Sequence, residues 1–241
     1  MKIAIKAILL LGITAYLVWA VIRFASPTEK QVCTDVRISL SDSVPGSLVT
    51  VEYVQGILSK HHLSPKGMRI SDINLKQIDS LICNAPYVSN SSSHYTSTGV
   101  LCIDVSPQRP VLHVLQSNGD EYFVADNGSV MPAGQTKPDL CLASGYLTRS
   151  FACRSLLPLA SYIYADEFWN RQIEQIYVTS DRQVELVPRV GDHTVILGSV
   201  EHFREKLHRL KVFYEYGMPQ VGWNKYRTIN LTYDNQVVCT K

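Results

Sequence analysis

The stretch Asn74–Pro86, NLKQIDSLICNAP, reads as a helix with both of its ends specified. Leu75, Ile78, Leu81 and Ile82 recur at the helical interval and form one apolar face. Asn74 is a good N-terminal cap, with Gln77 three residues on as in a capping box. Pro86 stops the helix, because the residue before a proline is pushed out of the helical region. Working backwards, Leu63–Arg69 is a loop with Pro65 and Gly67, and Thr50–His61 is a first helix with Val51, Val54, Ile57 and Leu58 at helical spacing. Ser41–Ser47 is a turn with Pro45 and Gly46, and Cys33–Leu40 before it is a strand. Working forwards, Gly99–Ser106, GVLCIDVS, is a clear strand. The segment between, Ser89–Thr98 (SNSSSHYTST), is so polar that only a short or frayed strand is expected there. The order is strand, helix, helix, strand, strand, a compact unit of about 75 residues at the small end of the domain range.

A second unit starts at Pro107. Pro110–Leu115 and Tyr122–Ala125 read as strands around the turn Ser117–Asp120, and Asp126-Asn127-Gly128 is another turn. Leu140–Ser150 stays open. Leu156–Asp166 reads as a short helix around Pro158, with Leu159, Ile163 and Phe168 in the core. Gln172–Val178, Gln183–Pro188 and Thr194–Leu197 are short strands. Ser199 is expected to cap a helix running to Tyr216, with Val200, Phe203, Leu207, Leu210 and Tyr214 on one stripe and Gly217 as its C-terminal cap. The fold class is α+β, the second unit being mostly antiparallel and β-rich with a late helix.

Ile3–Phe24, IAIKAILLLGITAYLVWAVIRF, carries only two charges, Lys6 and Arg23. As a helix it spans roughly 33 Å, enough for a hydrocarbon core of about 30 Å. Lys6 and Arg23 have stems long enough to carry their charges to the headgroups, and Tyr16 and Trp19 suit the half nearer Arg23. A cleaved signal peptide is the alternative. It wants small residues before its cut, and Arg23 occupies such a position if Ala25 is the last residue removed. Residues 1–25 are therefore read as an uncleaved anchor with a very short cytoplasmic tail. Residues 26–32 are a linker, and everything beyond lies outside the cytoplasm by the positive-inside rule.

Three of the 23 Lys and Arg (Lys2, Lys6 and Arg23) and none of the 21 Asp and Glu fall in the anchor, which leaves 20 against 21, a net −1. So balanced a surface is not a nucleic-acid binder by electrostatics. The six cysteines are spread out with no C-x-x-C, and buried thiols suit most of them. Cys141 and Cys153 are the one pair considered for a disulfide. No metal spacing, G-x-S-x-G, P-loop or G-x-G-x-x-G occurs. Asp166-Glu167 sits beside Phe168-Trp169 and reads as the end of a helix rather than as an acid–base pair. No cofactor and no catalytic residue is expected.

At the C-terminal end Tyr226–Tyr233 alternates, with Ile229, Leu231 and Tyr233 on one face. Asp234-Asn235 is read as a two-residue turn into Gln236–Lys241, giving an antiparallel hairpin. The chain then stops, so the last strand is expected at the edge of its sheet. Gln236-Val237-Val238-Cys239-Thr240 has no proline and no charge before Lys241, the devices that blunt an edge. A partner's segment is expected to add there as a further strand, with Tyr233, Asn235, Gln236, Val237, Val238, Cys239 and Thr240 as the binding residues.

The whole order resembles the bacterial cell-division family FtsQ/DivIB, which has a membrane anchor, a POTRA domain and a β domain. The likeness is carried by Gly67 with Arg69-Ile70, by Gln108-Arg109-Pro110-Val111 and by Val124-Ala125-Asp126-Asn127-Gly128. It continues in Phe168-Trp169…Gln172-Ile173…Ile176, in Glu185–Gly191, in Leu197-Gly198 and in Lys206-Leu207…Leu210. The tail Tyr226…Ile229-Asn230-Leu231…Tyr233…Asn235-Gln236-Val237-Val238 is its most specific part. The resemblance implies a POTRA domain at 33–106, a β domain at 107–241, no catalysis, a place in the inner membrane at the division septum and partners similar to FtsB and FtsL. It also implies contact with other divisome members through the POTRA domain. Two alternatives stand beside it. One is an anchored periplasmic envelope enzyme. The other is a POTRA-bearing outer-membrane assembly factor, disfavoured because no run of alternating membrane strands follows.

Overall fold

The computed structural model describes residues 11–20, 31–41, 47–134 and 138–241. Of the expected anchor, residues 11–20 form a helix, α1, carrying Tyr16 and Trp19 with ring centroids 6.0 Å apart. Leu11, Ile13, Tyr16, Leu17, Val18 and Trp19 are all exposed on it. Lys6 and Arg23 lie outside the described residues, as does the turn at Pro45-Gly46. Among the described residues no helix is long and apolar enough to cross a membrane. The remainder forms two compact units, one of Asp35–Leu40 with Val49–Ser106 and the other of Pro107–Lys241.

The first unit runs β1 (Asp35–Leu40), α2 (Val51–Lys60), a 3-10 turn (Ile70–Asp72), α3 (Leu75–Cys83), β2 (Val88–Tyr95) and β3 (Val100–Pro107). Both helices start on side-chain caps. The Thr50 hydroxyl oxygen accepts from the Tyr53 N–H at 3.2 Å, and Asn74 Oδ1 accepts from the Gln77 N–H at 3.2 Å. Such a cap contributes about 1 kcal/mol. The three strands lie in the order β1-β3-β2, with β1 parallel to β3 from Asp35↔Val100 to Leu40↔Val105. Val54 and Leu58 of α2, Ile78 and Ile82 of α3 and Leu101, Ile103 and Val105 of β3 make the core. The polar segment expected to fray is a full eight-residue strand. Its serines are satisfied from α3, Ser91 and Ser93 both donating to Asp79 Oδ1 at 3.2 and 2.6 Å. Polarity did not weaken this strand because a carboxylate in the neighbouring helix takes up its hydroxyls.

The second unit is one nine-stranded sheet in the order β12-β11-β10-β9-β8-β7-β4-β5-β6. Its strands are β4 (Pro110–Gln116), β5 (Glu121–Ala125), β6 (Val130–Pro132), β7 (Leu142–Gly145), β8 (Ile173–Val178), β9 (Val184–Pro188), β10 (Thr194–Gly198), β11 (Thr228–Asn230) and β12 (Val238–Thr240). Most neighbours are antiparallel, but β4–β7, β7–β8 and β10–β11 are parallel. A parallel pair needs a crossover of a dozen or more residues, usually helical. The two helical segments supply two of these. The first joins β7 to β8 and consists of α4 (Arg149–Phe151), a π-turn (Ala152–Leu156), α5 (Leu157–Ala165) and α6 (Glu167–Gln172). The second joins β10 to β11 and consists of α7 (Phe203–Val212), a π-turn (Phe213–Gly217) and α8 (Met218–Val221). Leu159, Ile163, Trp169, Leu207 and Leu210 from these helices bury against Leu112, Val114, Ile176, Leu186 and Leu197 of the sheet.

Several local expectations need correction. The open stretch Leu140–Ser150 contains β7, and the helix begins at Arg149, well before Leu156, because the Thr148 hydroxyl caps the Phe151 N–H at 3.3 Å. The wider π-turn falls just ahead of Pro158, whose ring crowds a regular preceding turn. Trp169, 1% exposed, takes the core place expected of Phe168, which is half-buried. The cause is Asp166 Oδ1, which accepts from the N–H groups of Phe168 and Trp169 at 2.9 and 3.1 Å and so begins α6 in a register that turns the indole inward. Ser199 does not cap α7, which starts behind His202 at a left-handed φ of 54°. Gly217 does not end the helix either, with φ −88°. The left-handed glycine past the last turn is Gly222, at φ 89°. Cys141 and Cys153 are free thiols, like the other four. Cys141 is buried ahead of β7, and that burial pushes its thiol up to about 12.

The C-terminal hairpin is antiparallel as expected, with Thr228↔Thr240, Ile229↔Cys239 and Asn230↔Val238. Its connection is not two residues. Asn230 Oδ1 accepts from the Thr232 N–H at 2.9 Å and from its hydroxyl at 2.7 Å, which breaks the strand there. Leu231 remains buried, its N–H donating to the Ile196 carbonyl at 2.9 Å. Tyr233 is released to the surface, 55% exposed, instead of staying on the face of Ile229 and Leu231.

Candidate partner-binding edge

β12 ends the sheet and is hydrogen-bonded only to β11 among the described strands. The Thr240 carbonyl accepts from the Arg227 N–H at 2.8 Å, so Thr240 turns its backbone inward. By the alternation of an antiparallel ladder, the N–H and C=O of Cys239 point away from β11. Val237 and Cys239 pack partly on the core, while Val238 is 39% exposed and Thr240 is exposed. No charge or proline lies between Asn235 and Thr240. The opposite edge, β6, is also three residues long but ends in Pro132, a residue that blunts an edge.

Two clefts flank this edge. One, of about 540 Å³, lies between the outer side of α7 with its π-turn and the incoming chain of β12. Its walls are His208, Arg209, Val212, Phe213, Tyr216, Gly217 and Gln220 on one side and Asn235 and Val237 on the other. Val212 and Tyr216, 43% and 68% exposed, lie outside the buried stripe of the helix and make this cleft apolar. The other, of about 470 Å³, is polar and lined by Glu201, Glu205, Lys206, Arg209, Thr232 and Asp234 among others. Lys206 Nζ donates to the carbonyls of Leu197 and Ser199 at 3.1 and 2.8 Å. Burial, with Arg209 beside it, holds the ammonium below the usual lysine range. Arg209 lines both clefts, and its Nη2 donates to the Leu231 carbonyl at 2.9 Å, fastening the hairpin connection to α7.

Of the residues expected to bind a partner, Val238, Cys239 and Thr240 form the edge itself and Val237 leads into it. Asn235, at a left-handed φ of 57°, lines both clefts, Gln236 is exposed beside it, and Tyr233 stands in the connection rather than in a strand. Sequence reasoning missed Arg209, Val212 and Tyr216. The signal for the last two was there, as apolar residues off the core stripe of an amphipathic helix. Among the described residues no group of three or more His, Cys, Asp or Glu is placed to hold a metal.

A family model described as FtsQ/DivIB, C-terminal related, matches residues 109–240. The chain belongs to the FtsQ/DivIB family. A model of the POTRA-like domain matches residues 31–106. No curated protein matches the chain. The sheet that ends in β12 is therefore the part related to the FtsQ/DivIB C-terminal domain, and β1 to β3 with α2 and α3 form the POTRA-like domain. This membership makes the chain a division-related protein of scaffold type.

Proposed function

We propose that this protein is a non-catalytic, single-pass scaffold of the bacterial divisome that captures FtsB-like and FtsL-like bitopic proteins by adding a segment of the partner to β12. The observation that carries the reading is the bare edge. It is short, free of charge and proline, exposes Val238 and turns the backbone of Cys239 outward beside an apolar cleft. In strand addition the main-chain hydrogen bonds supply affinity, and pockets for alternate side chains supply specificity. Here Tyr233, Val237, Val212 and Tyr216 are the side chains that select the partner. The anchor is residues 1–25, with its N-terminus in the cytoplasm, and residues 26–32 link it to a POTRA domain at 33–106 that contacts other division proteins. The β domain at 107–241 then stands in the periplasm at the septum. The exposed apolar side chains of α1 support the membrane assignment, since water is a poor solvent for such a surface.

The test is deletion of Gln236–Lys241 in the full chain, with thermal unfolding and capture of the host's FtsB-like protein both measured. The expected result is a chain that still unfolds cooperatively and no longer retains the partner. Undiminished capture by the truncated chain overturns the reading. In cells, a fluorescent fusion is expected at the septum, and depletion is expected to give filaments.

A further inference from the structure

Ahead of β10, two strands from the edge, lies a buried histidine that neither the fold nor the proposed binding explains. His193, 2% exposed, precedes β10 and places Nε2 2.7 Å from the Tyr214 hydroxyl. Its ring lies 6.3 Å from that of Trp223, and the Tyr214 and Trp223 rings are 5.1 Å apart. Nδ1 is buried and makes no hydrogen bond, although the Trp223 carbonyl beside it favours the protonated ring. Gly191, at φ 86°, lies against the imidazole, and a Cβ there would come within 2.8 Å of Nδ1, so only glycine fits beside the ring.

The partners of His193 belong to two segments that adjoin the candidate site. Tyr214 is in the π-turn whose neighbours Phe213 and Tyr216 line the apolar cleft. Trp223 is in the segment that feeds β11, the one described strand with which β12 pairs. The Thr194 N–H, next to the histidine, donates to the Arg227 carbonyl at 2.9 Å in that same segment. We propose that His193 is a pH-sensitive latch for the C-terminal hairpin, and that its protonation loosens β11–β12 and withdraws the edge from a partner. The second half of this inference rests on the proposed function; the latch itself does not.

The chemistry follows from what the ring can exchange. Neutral His193 accepts the Tyr214 hydroxyl at Nε2 in the tautomer that leaves the proton on Nδ1 toward the Trp223 carbonyl. Protonation turns Nε2 into a donor, so the tyrosine must reverse and leave its own hydrogen without an acceptor in a buried place. It also puts a charge between the Trp223 indole and the Tyr214 ring, whose hydroxyl burial keeps protonated. Asp192, from the ring's own loop, is the one charged side chain that bears on it in the favourable sense, and burial outweighs it. The closed form therefore takes its proton at a lower pH than an opened form, in which the histidine is ordinary. Opening becomes easier as the pH falls below about 6.5, and the effect levels off once the closed form is itself protonated.

The test is hydrogen exchange on the full chain between pH 7.5 and 5.0, expressed as protection relative to the intrinsic rate at each pH, with the His193 ring followed in parallel by NMR. Protection of Thr228–Asn230 and Val238–Thr240 is expected to be lost progressively as the pH falls below about 6.5, in the direction set by the lowered proton affinity of the closed ring. β8 and β9 should hold, and the loss should track the midpoint of the ring. The variant H193Q should show no such fall. A flat wild-type profile, a midpoint apart from that of the ring or the same pH dependence in H193Q overturns the latch. If H193Q does not fold, the two midpoints in the unaltered chain decide. Capture of the host's FtsB-like protein should weaken in step. Capture that is constant across a titrating latch overturns its control of the edge, and capture absent at every pH removes the proposed function while leaving the latch.

Discussion

The strands β2 and β12 both end a sheet, and they are finished in opposite ways. β2 is eight residues long and would be a good template for another chain, but its side chains are committed within its own unit. Ser91 and Ser93 donate to Asp79, Ser89 donates to the Ser106 carbonyl at 2.9 Å, and His94 Nδ1 lies 3.5 Å from Asp104 on β3. The other edge of that sheet, β1, shows Asp35 paired with Lys66 at 2.9 Å and the charge of Arg37. β12 is only three residues long and carries none of this. An edge strand is a liability that proteins manage with charge, proline or shortness. Here only shortness is used, and on that edge the surface offers exposed valine and tyrosine instead of ions. The difference teaches that an edge suited to a partner is recognised by which of the ordinary protections are missing, and by apolar side chains that gather next to the gap.

The sharpest way to break this contrast is Val238→Pro. Val238 faces Asn230, so the proline takes an inward donor from the β11–β12 ladder and unseats the edge strand that presents Cys239, and capture of the FtsB-like protein measured by calorimetry should fall at least about a hundredfold, each tenfold being about 1.4 kcal/mol. The β domain should still unfold cooperatively, because Val238 is not part of the core. Next in size is Asp79→Ala in the POTRA-like domain. It leaves the Ser91 and Ser93 hydroxyls without their acceptor and should destabilise that domain by about 1–3 kcal/mol in a denaturant titration while leaving capture unchanged. If Asp79→Ala weakens capture instead, the two edges are not independent. A smaller change, Val238→Lys, gives β12 the protection that β1 already has, and capture should drop about tenfold with no change in melting temperature. The smallest is Asn74→Ala, expected to cost the POTRA-like domain about 1 kcal/mol through the lost cap of α3, read from the same titration.

Local signals in the sequence were reliable where one turn of chain decides the outcome. Asn74 caps α3, the strands β8, β9 and β10 fall where the short apolar runs put them, and the terminal hairpin is antiparallel. They failed where a second element supplies the deciding group. Ser89–Thr98 has the composition of a frayed segment, yet it is strand as far as Tyr95 because Asp79 arrives from α3. Phe168 and Trp169 are equally apolar on paper, and only the Asp166 cap decides which of them turns inward. Of the candidate site, the edge residues Val237 to Thr240 were legible as an unprotected run, whereas Tyr233 was misplaced because Asn230 ends its strand early.

By itself, the sequence of this protein determined its division into two units, the kind and order of most elements and the uncharged character of its last strand. Those are properties of composition, periodicity and capping, which act within a few residues. Tertiary structure alone decided that β11 lies parallel to β10 and that α7 presents Val212 and Tyr216 beside Val237. It also decided that His193, which follows a glycine turn and looks like a solvated loop residue, is enclosed by Tyr214 and Trp223. These are pairings between residues 20 or more apart, and no local preference of the chain encodes which distant groups will meet.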